Sequence, residues 1–476
     1  MATQVLDTAA LEQLDAVIKG EVITADRHDY DDAREVFNRL IDRRPGAIVR
    51  CKDPADVIAC VEVARANALE VAVRGGGHAV SGAAVCDGGL VIDLTMMKRV
   101  IVDPLTRTAR VQGGATWRDV DAATQEHGLA VTGGRVPGTG VAGLTLGSGS
   151  GGLERKLGFT CDSLVGADVV TADGRFVRAT EHENEDLLWG LKGGGGNFGV
   201  VTQFEFRLHP VGPIMFGGMM IWPGFMAGDV IRAYREFMVD APDEVGGALA
   251  LLTAPHEEFV PEEARGKPTV GIVVTYCGDV EEGERAFEPL RRLGPAMDMT
   301  GPMPYTAVQS LIEPNNQPGN NHYWKADFLD SLPDEAVDII CAYHAKVTSP
   351  LTALLLQPLG GAVARVAPDA TPLARRDAAY AYHLLSQWPT DDHDGDRHIE
   401  WTRAVARELA PFATGGVYLT YIGDEGEQRI REAFGAEKYE RLVALKDKYD
   451  PGNVFRLNQN IRPSTEALAR ADRPAE

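Results

Sequence analysis

Val71-Ala72-Val73-Arg74-Gly75-Gly76-Gly77-His78 is the stretch on which the reading of this chain turns. The β-branched run predicts a strand, and the three glycines predict a turn at its end. Without Cβ atoms the main chain of such a turn can approach a ligand closely, and its N–H groups can cradle a pyrophosphate. His78 then faces whatever the loop binds; the alternative is a plain glycine turn beside a surface or core histidine. Upstream, Ala47-Ile48-Val49-Arg50 reads as a strand. Asp53 is a candidate N-cap with Pro54 at the first helical position, opening a helix to about Ala68. Strand, helix, strand is an α/β beginning. Residues 1–45 read as helical and polar-faced.

Glycine continues to mark strand ends. The chain holds 52 glycines in 476 residues, about 11% against an average near 7%. They cluster at Gly75–Gly77, at Gly133–Gly152 and at Gly193–Gly199. Three stretches satisfy G-x-G-x-x-G, starting at Gly138, Gly147 and Gly194. A dinucleotide-binding unit also needs a preceding strand, a following helix and an acidic residue about 20 positions on. None of the three opens such a unit cleanly, which argues against a nicotinamide dehydrogenase. After Pro210 glycine thins, and strands (Thr269–Thr275, Ala379–Leu385) alternate with helices, suggesting a second domain. Lys438 onward reads as a helix ending at Tyr449-Asp450-Pro451, and Ser464–Glu476 as a frayed tail.

Composition bounds the function. Acidic residues number 69 and basic residues 47, a formal charge of −22, the wrong sign for a nucleic-acid surface. No apolar run reaches bilayer length and no secretory signal is apparent at Met1–Ala10, so a cytoplasmic enzyme is expected. Six scattered cysteines suggest neither a disulfide framework nor a zinc site. Asp391–Asp396 with His398 fits no metal-ligand spacing and reads as a solvated loop, so no metal is expected. No G-x-S-x-G or H-E-x-x-H motif occurs.

Four segments, taken in order, resemble the berberine-bridge-enzyme-like FAD-linked oxidases of the vanillyl-alcohol oxidase / p-cresol methylhydroxylase superfamily. They are Arg74–His78; Pro137 through Arg155-Lys156-Leu157-Gly158; Asp186-Leu187-Leu188-Trp189 running into Gly193–Gly199; and Tyr449-Asp450-Pro451 to Asn458-Gln459-Asn460-Ile461. The resemblance implies an α+β fold. A two-lobed FAD-binding domain of the p-cresol methylhydroxylase type would comprise residues 1–209 and 415–476. Residues 210–414 would form a substrate domain with an antiparallel sheet flanked by helices. His78 matches the histidine that bonds covalently to the flavin. Arg74, Gly75, Gly76, Gly77, Ser81 and Gly82 match the pyrophosphate loop. Gly138, Thr139, Val141, Gly143, Leu144 and Gly147 match a second cofactor segment, with Val200, Val201 and Asn460 as further contacts.

Two departures from the family pattern carry information. Val136 stands where many members have a second flavin-linking cysteine, and Cys161 lies too far along to replace it, so FAD is expected to be attached through His78 only. Thr139 stands where fast oxygen-reactive members often have valine. O2 is the expected electron acceptor, giving H2O2, with a dehydrogenase using another acceptor as the alternative. By resemblance the catalytic base comes from Gly416–Tyr421, read as a strand, or from Tyr380–His383. Tyr421, His383 and Tyr418 are the candidates. An aromatic rim of Tyr323, Trp324, Tyr380, Tyr382 and Trp388 would favour an aromatic or cyclic small-molecule substrate carrying an alcohol or amine.

Overall fold

The computed structural model describes residues 8–258, 260–416, 418–423 and 425–471. Its first sheet contains β1 (Glu21–Ile23), β2 (Ala47–Arg50), β3 (Val71–Arg74) and β4 (Leu90–Asp93), in the order β1-β2-β4-β3. β4 runs parallel to β2 and β3, while β1 is antiparallel to β2. Every residue of β4 is buried, as a central parallel strand requires. The helix Pro54–Ala66 makes the crossover, and Asp53 caps it by accepting from the Ala55 and Asp56 N–H groups. It stops two residues short of the expected Ala68, which has turned left-handed at φ 49°. The N-terminal reading was too helical: Thr8–Val17 and Tyr30–Arg34 are helices, but Glu21–Ile23 pairs with β2 and the chain to Pro45 is irregular.

Next along the chain come β5 (Val100–Asp103), β6 (Thr108–Gln112), β7 (Leu129–Ala130), β8 (Leu164–Val170), β9 (Phe176–Thr180), β10 (Val200–Arg207) and β11 (His209–Pro210). Five of these form an antiparallel sheet ordered β5-β6-β10-β8-β9, and β7 pairs with β11.

The largest sheet contains β12 (Ile214–Pro223), β13 (Val245–Thr253), β14 (Pro268–Tyr276), β15 (Met297–Asp298), β16 (Gly301–Pro304), β17 (Asn321–Leu329), β18 (Ala353–Pro358) and β19 (Tyr380–Trp388). All its pairings are antiparallel, in the order β15-β12-β14-β13-β18-β19-β17, with β16 also on β12. Side chains alternate faces along a strand. Leu249, Leu251, Ile272, Val274, Leu354 and Leu384 therefore share one apolar face, covered by the helices Ala227–Val239, Asp334–His344 and Gly395–Leu409. The opposite face is left for the site. The chain is α+β, with the antiparallel sheet and its helices distinct from the mixed first sheet. No helix among the described residues is long and apolar enough to cross a membrane.

The tail returns to the first half of the chain. The helix Ala436–Tyr449 ends where expected, before Asp450. Lys446 is fully buried and donates from Nζ to Asp450 Oδ2 (2.7 Å), Asn197 O (2.8 Å) and Phe455 O (2.8 Å). Asp450 also accepts from the Val454 and Phe455 N–H groups. This pair thus fastens the third glycine cluster to the C-terminal segment. The tail expected to fray is helical over Thr465–Ala471, and residues 472–476 lie outside the described residues.

Removing one partner of a fully hydrogen-bonded buried ion pair leaves an uncompensated charge. Lys446→Met is expected to lower unfolding stability by about 3–5 kcal/mol, measured by chemical denaturation. A loss comparable to that of an exposed lysine substitution would contradict this account of the tail.

Candidate active site

Two glycine loops meet backbone to backbone. A Cβ on Gly76 would lie 2.5 Å from Gly140 Cα, and one on Gly140 would lie 2.4 Å from Gly76 N. No L side chain fits at either position, so the glycine pattern reflects close packing here rather than turn preference alone. Arg74 fixes the first loop from below. It is buried, donates to Ala33 O and Arg34 O, and lies 3.6 Å from Asp93, its register partner on β4.

The loops border a cavity of about 270 Å³. Of the residues expected to hold the cofactor, Gly75, Gly76, Gly77, His78, Ser81, Thr139, Gly143, Leu144, Gly147 and Val201 line it. Arg74, Gly82, Gly138, Val141, Val200 and Asn460 are not among its lining residues. Val141 and Val200 belong to neighbouring apolar cores, and Gly82, at φ 73°, packs where a Cβ would strike Ile41. Sequence reading missed Gly195, Gly196, Asn458, Gln459 and Arg135, which also line the cavity. Asn458 and Gln459 lie within a quoted motif and could have been taken from it.

His78 stacks on Phe37 with ring centroids 3.9 Å apart, and Phe37 stacks in turn on His322 at 4.2 Å. Burial pushes the His78 pKa down to about 4, so the ring is neutral at pH 7. Its Nε2 is buried with no hydrogen-bond partner.

The other wall carries a buried polar network. Tyr421 and Arg135 both line the cavity, and the Arg135 guanidinium acts to lower the Tyr421 pKa. Arg135 also donates to Ser150 Oγ (2.8 Å), Gly151 O (3.3 Å) and Glu154 Oε1 (3.3 Å). The Gln357 amide donates to Ser150 Oγ (2.9 Å) and to Glu154. Its carbonyl oxygen therefore faces His383 Nε2, 3.1 Å away, which makes His383 the Nε2–H tautomer with a bare Nδ1. Burial pushes the His383 pKa down to about 3, helped by Arg135, and the ring is neutral.

His383 does not line the cavity; it lies against Tyr421 with ring centroids 4.2 Å apart. Tyr418 is also buried away from the cavity, edge-on to Phe328 (4.7 Å) and Phe159 (5.3 Å). The expected strand at Gly416–Tyr421 is absent: Leu419–Tyr421 is a 3-10 turn, and Val417 lies outside the described residues. This turn folds the Tyr421 ring over His383. Burial raises the Tyr421 pKa, against the pull of Arg135.

A second cavity, of about 290 Å³, shares Arg135, Ile312, Asn316, Leu355 and Leu385 with the first. It lies on the face of the large sheet away from the helices. The expected aromatic rim needs correction here. Only Trp324 lines either cavity, whereas Tyr380 and Tyr382 sit in the helix-side core, Trp388 stacks on His398, and Tyr323 lies beneath Arg403. The site-side positions of β19 are Ala381, His383, Leu385 and Gln387. Cys161 is buried against Phe159 and Tyr418, and no cysteine among the described residues lines either cavity.

Residues 45–180 match the model of an FAD-binding domain, and residues 417–462 match the model described as berberine and berberine like. An FAD-linked oxidoreductase of Dictyostelium discoideum is 31% identical over 452 residues, covering 94% of this chain and 95% of that protein. The chain belongs to the berberine-bridge-enzyme-like FAD-linked oxidoreductases. A further member of this family, the (R)-6-hydroxynicotine oxidase of Paenarthrobacter nicotinovorans, is 30% identical over 463 residues, covering 94% and 97% of the two chains. The crystal structure of 6-hydroxy-D-nicotine oxidase from Arthrobacter nicotinovorans superposes with a TM-score of 0.84 at 28% identity, covering 94% of this chain and 98% of that one.

The first cavity fits FAD by its own chemistry. Backbone approaches its interior at the glycine loops, no carboxylate among the described residues lines it, and His78 Nε2 is buried and unpaired. An anionic pyrophosphate therefore meets no like charge there, although the chain as a whole carries −22.

Gly140→Ala forces the two loops apart and is expected to fold while losing most of its bound flavin, measured as visible absorbance per chain. Full flavin content in this variant would contradict the close-crossing account.

Proposed function

We propose that this protein oxidises an alcohol or amine carbon of a cyclic or aromatic small molecule, with FAD attached covalently through His78 alone and O2 as the electron acceptor, giving H2O2. Residues 1–209 and 415–476 would hold the cofactor and 210–414 the substrate. When bound, FAD supplies a two-electron acceptor for the hydride leaving the substrate carbon. A neutral His78 with an unpaired nitrogen supports the attachment, and the absence of any lining thiol among the described residues supports a single bond.

The observation that carries the reading is Tyr421. It is the one candidate base that borders the cavity, and the Arg135 guanidinium that borders the same cavity pulls its pKa down. A base acts at the site only if its ionised form is stabilised there, and an adjacent guanidinium does that for a phenol. In this reading His383 and Tyr418 position Tyr421 without touching substrate. Glu154, buried beside Arg135, works against ionisation of Tyr421 by like charge. A second reading, a flavin dehydrogenase with another electron acceptor, rests on Thr139, whose position lines the cavity.

With a substrate identified by peroxide release, Tyr421→Phe is expected to lower kcat by roughly 10²–10⁴-fold at unchanged flavin content. Activity requires the ionised phenol, so it rises with pH through the Tyr421 pKa. Arg135→Gln removes the stabilising cation and moves that rise upward by about 1–3 pH units. Glu154→Gln removes the opposing charge and moves it downward. A pH profile unmoved in both variants would contradict Tyr421 as the base.

A further inference from the structure

We infer that Phe37 is a positioning residue for the flavin bond: its ring fixes the orientation of His78, and Asn38 and His322 seat it there. This inference rests on the proposed attachment of FAD through His78 and assigns the groups that prepare it. The glycines before His78 give its loop few side-chain restraints of its own. A Cβ at Gly77, where φ is 67°, would meet only Arg74 Cδ, at 4.0 Å. The Gly76–Gly140 crossing holds one side of the loop. Phe37 holds the other, donating its N–H to Gly77 O at 3.1 Å and laying its ring on the His78 imidazole at 3.9 Å, with 15° between the planes. His78 Nε2 has no hydrogen-bond partner, so the stack rather than a bond at that nitrogen sets the angle of the ring.

Phe37 is itself held from behind. His322, on β17, stacks on its other face at 4.2 Å, and Trp324 meets its edge at 6.0 Å. Burial, helped by His78, pushes the His322 pKa down to about 3, so this ring is a neutral plate and not a competing charge. Both His322 ring nitrogens are buried without partners, and its main chain is used instead. Asn38 donates from Nδ2 to His322 O (3.0 Å) and Val80 O (2.8 Å), and accepts at Oδ1 from the His322 (2.9 Å) and Leu40 (3.1 Å) N–H groups. Its amide is thereby fully used, with both donors and both acceptor positions filled. One buried side chain thus ties the loop that carries His78 to β17, with the Phe37 ring packed between the two histidines.

Bond formation joins an imidazole nitrogen of His78 to the 8α-methyl carbon of the flavin. One methyl C–H and the imidazole N–H are broken; two electrons pass through the flavin ring to O2, and both hydrogens leave as H2O2. The nitrogen lone pair must point at that carbon, and misplacement by about 1 Å costs on the order of 100-fold in rate. A stacked imidazole has given up the side-chain rotations that would turn the lone pair away.

The test follows covalent attachment and not turnover. Full-length protein made under riboflavin limitation is mixed with excess FAD in air, and acid-precipitable flavin is measured against time beside total bound flavin. Phe37→Met keeps the volume and loses the flat ring; it is expected to slow attachment roughly 10- to 100-fold at unchanged total flavin. Phe37→Tyr keeps the ring and restores most of the wild-type rate. His322→Ala, which removes the backing, slows attachment in the same direction. A Phe37→Met rate equal to wild type, a tyrosine variant as slow as the methionine one, or an unslowed His322→Ala would overturn the inference. Loss of total flavin in both Phe37→Met and His322→Ala would also overturn it, since the contacts would then serve the fold and not the bond. Wild-type protein whose bound flavin never becomes acid-precipitable contradicts the bond through His78 itself, whereas a covalent wild type with insensitive variants contradicts the positioning alone.

Discussion

The rest of the site depends on how closely two stretches of backbone pass at Gly76 and Gly140. At that crossing a methyl group would overlap the opposing main chain from either side. The approach sets the position of the loop after β3 against the loop before the helix Val141–Leu146, and so helps place His78 and Thr139, both of which line the cavity. The third glycine cluster is brought to the same cavity differently. Its Asn197 carbonyl is held by buried Lys446, and its side chain bonds Gln459 O and the Ile461 N–H in the C-terminal segment. Segments far apart in sequence therefore meet at one place, two by close backbone packing at glycine and the third by side-chain hydrogen bonds to main-chain groups.

Electrostatics in the interior run opposite to the chain's overall sign. The chain is strongly acidic, yet among the described residues no carboxylate lines either cavity and Arg135 is the one side chain of fixed charge there. Glu154 balances that guanidinium from a buried position outside the cavities, and Gln357 ties the pair to His383. The histidine is held neutral and in one tautomer, leaving Tyr421 as the group poised between a cation and the cavity. Such networks are sensitive to each member because the low dielectric magnifies any unpaired charge.

Much of the fold was legible because its signals were local. Asp53 with Pro54 declared the helix start, and β-branched runs declared β2, β3 and β4, with glycine following β3. The order of the four glycine- and asparagine-bearing segments was enough to name the family. What escaped reading was whatever depends on distant partners. All nine residues of β19 are buried, so its burial shows no phase, and its aromatic residues were assigned to the face they do not occupy. Gly416 accepts from the Phe328 N–H at the edge of β17, but Leu419–Tyr421 has strand-like residues and folds as a 3-10 turn. Arg135 and Glu154 lie 19 residues apart in glycine-rich sequence, and nothing local shows that they share one buried site. Arg135 did leave one signal: it is a lone charge between Gly134 and Val136, directly beside the position where a flavin-linking cysteine was sought.

The central claim, that the glycine cradle holds FAD and that His78 bonds it, is tested most directly by acid precipitation of the purified protein. The account predicts a yellow pellet, with the colour passing into the supernatant for His78→Ala. A colourless protein would contradict the cradle itself, and yellow that leaves the wild-type pellet would contradict the histidine bond.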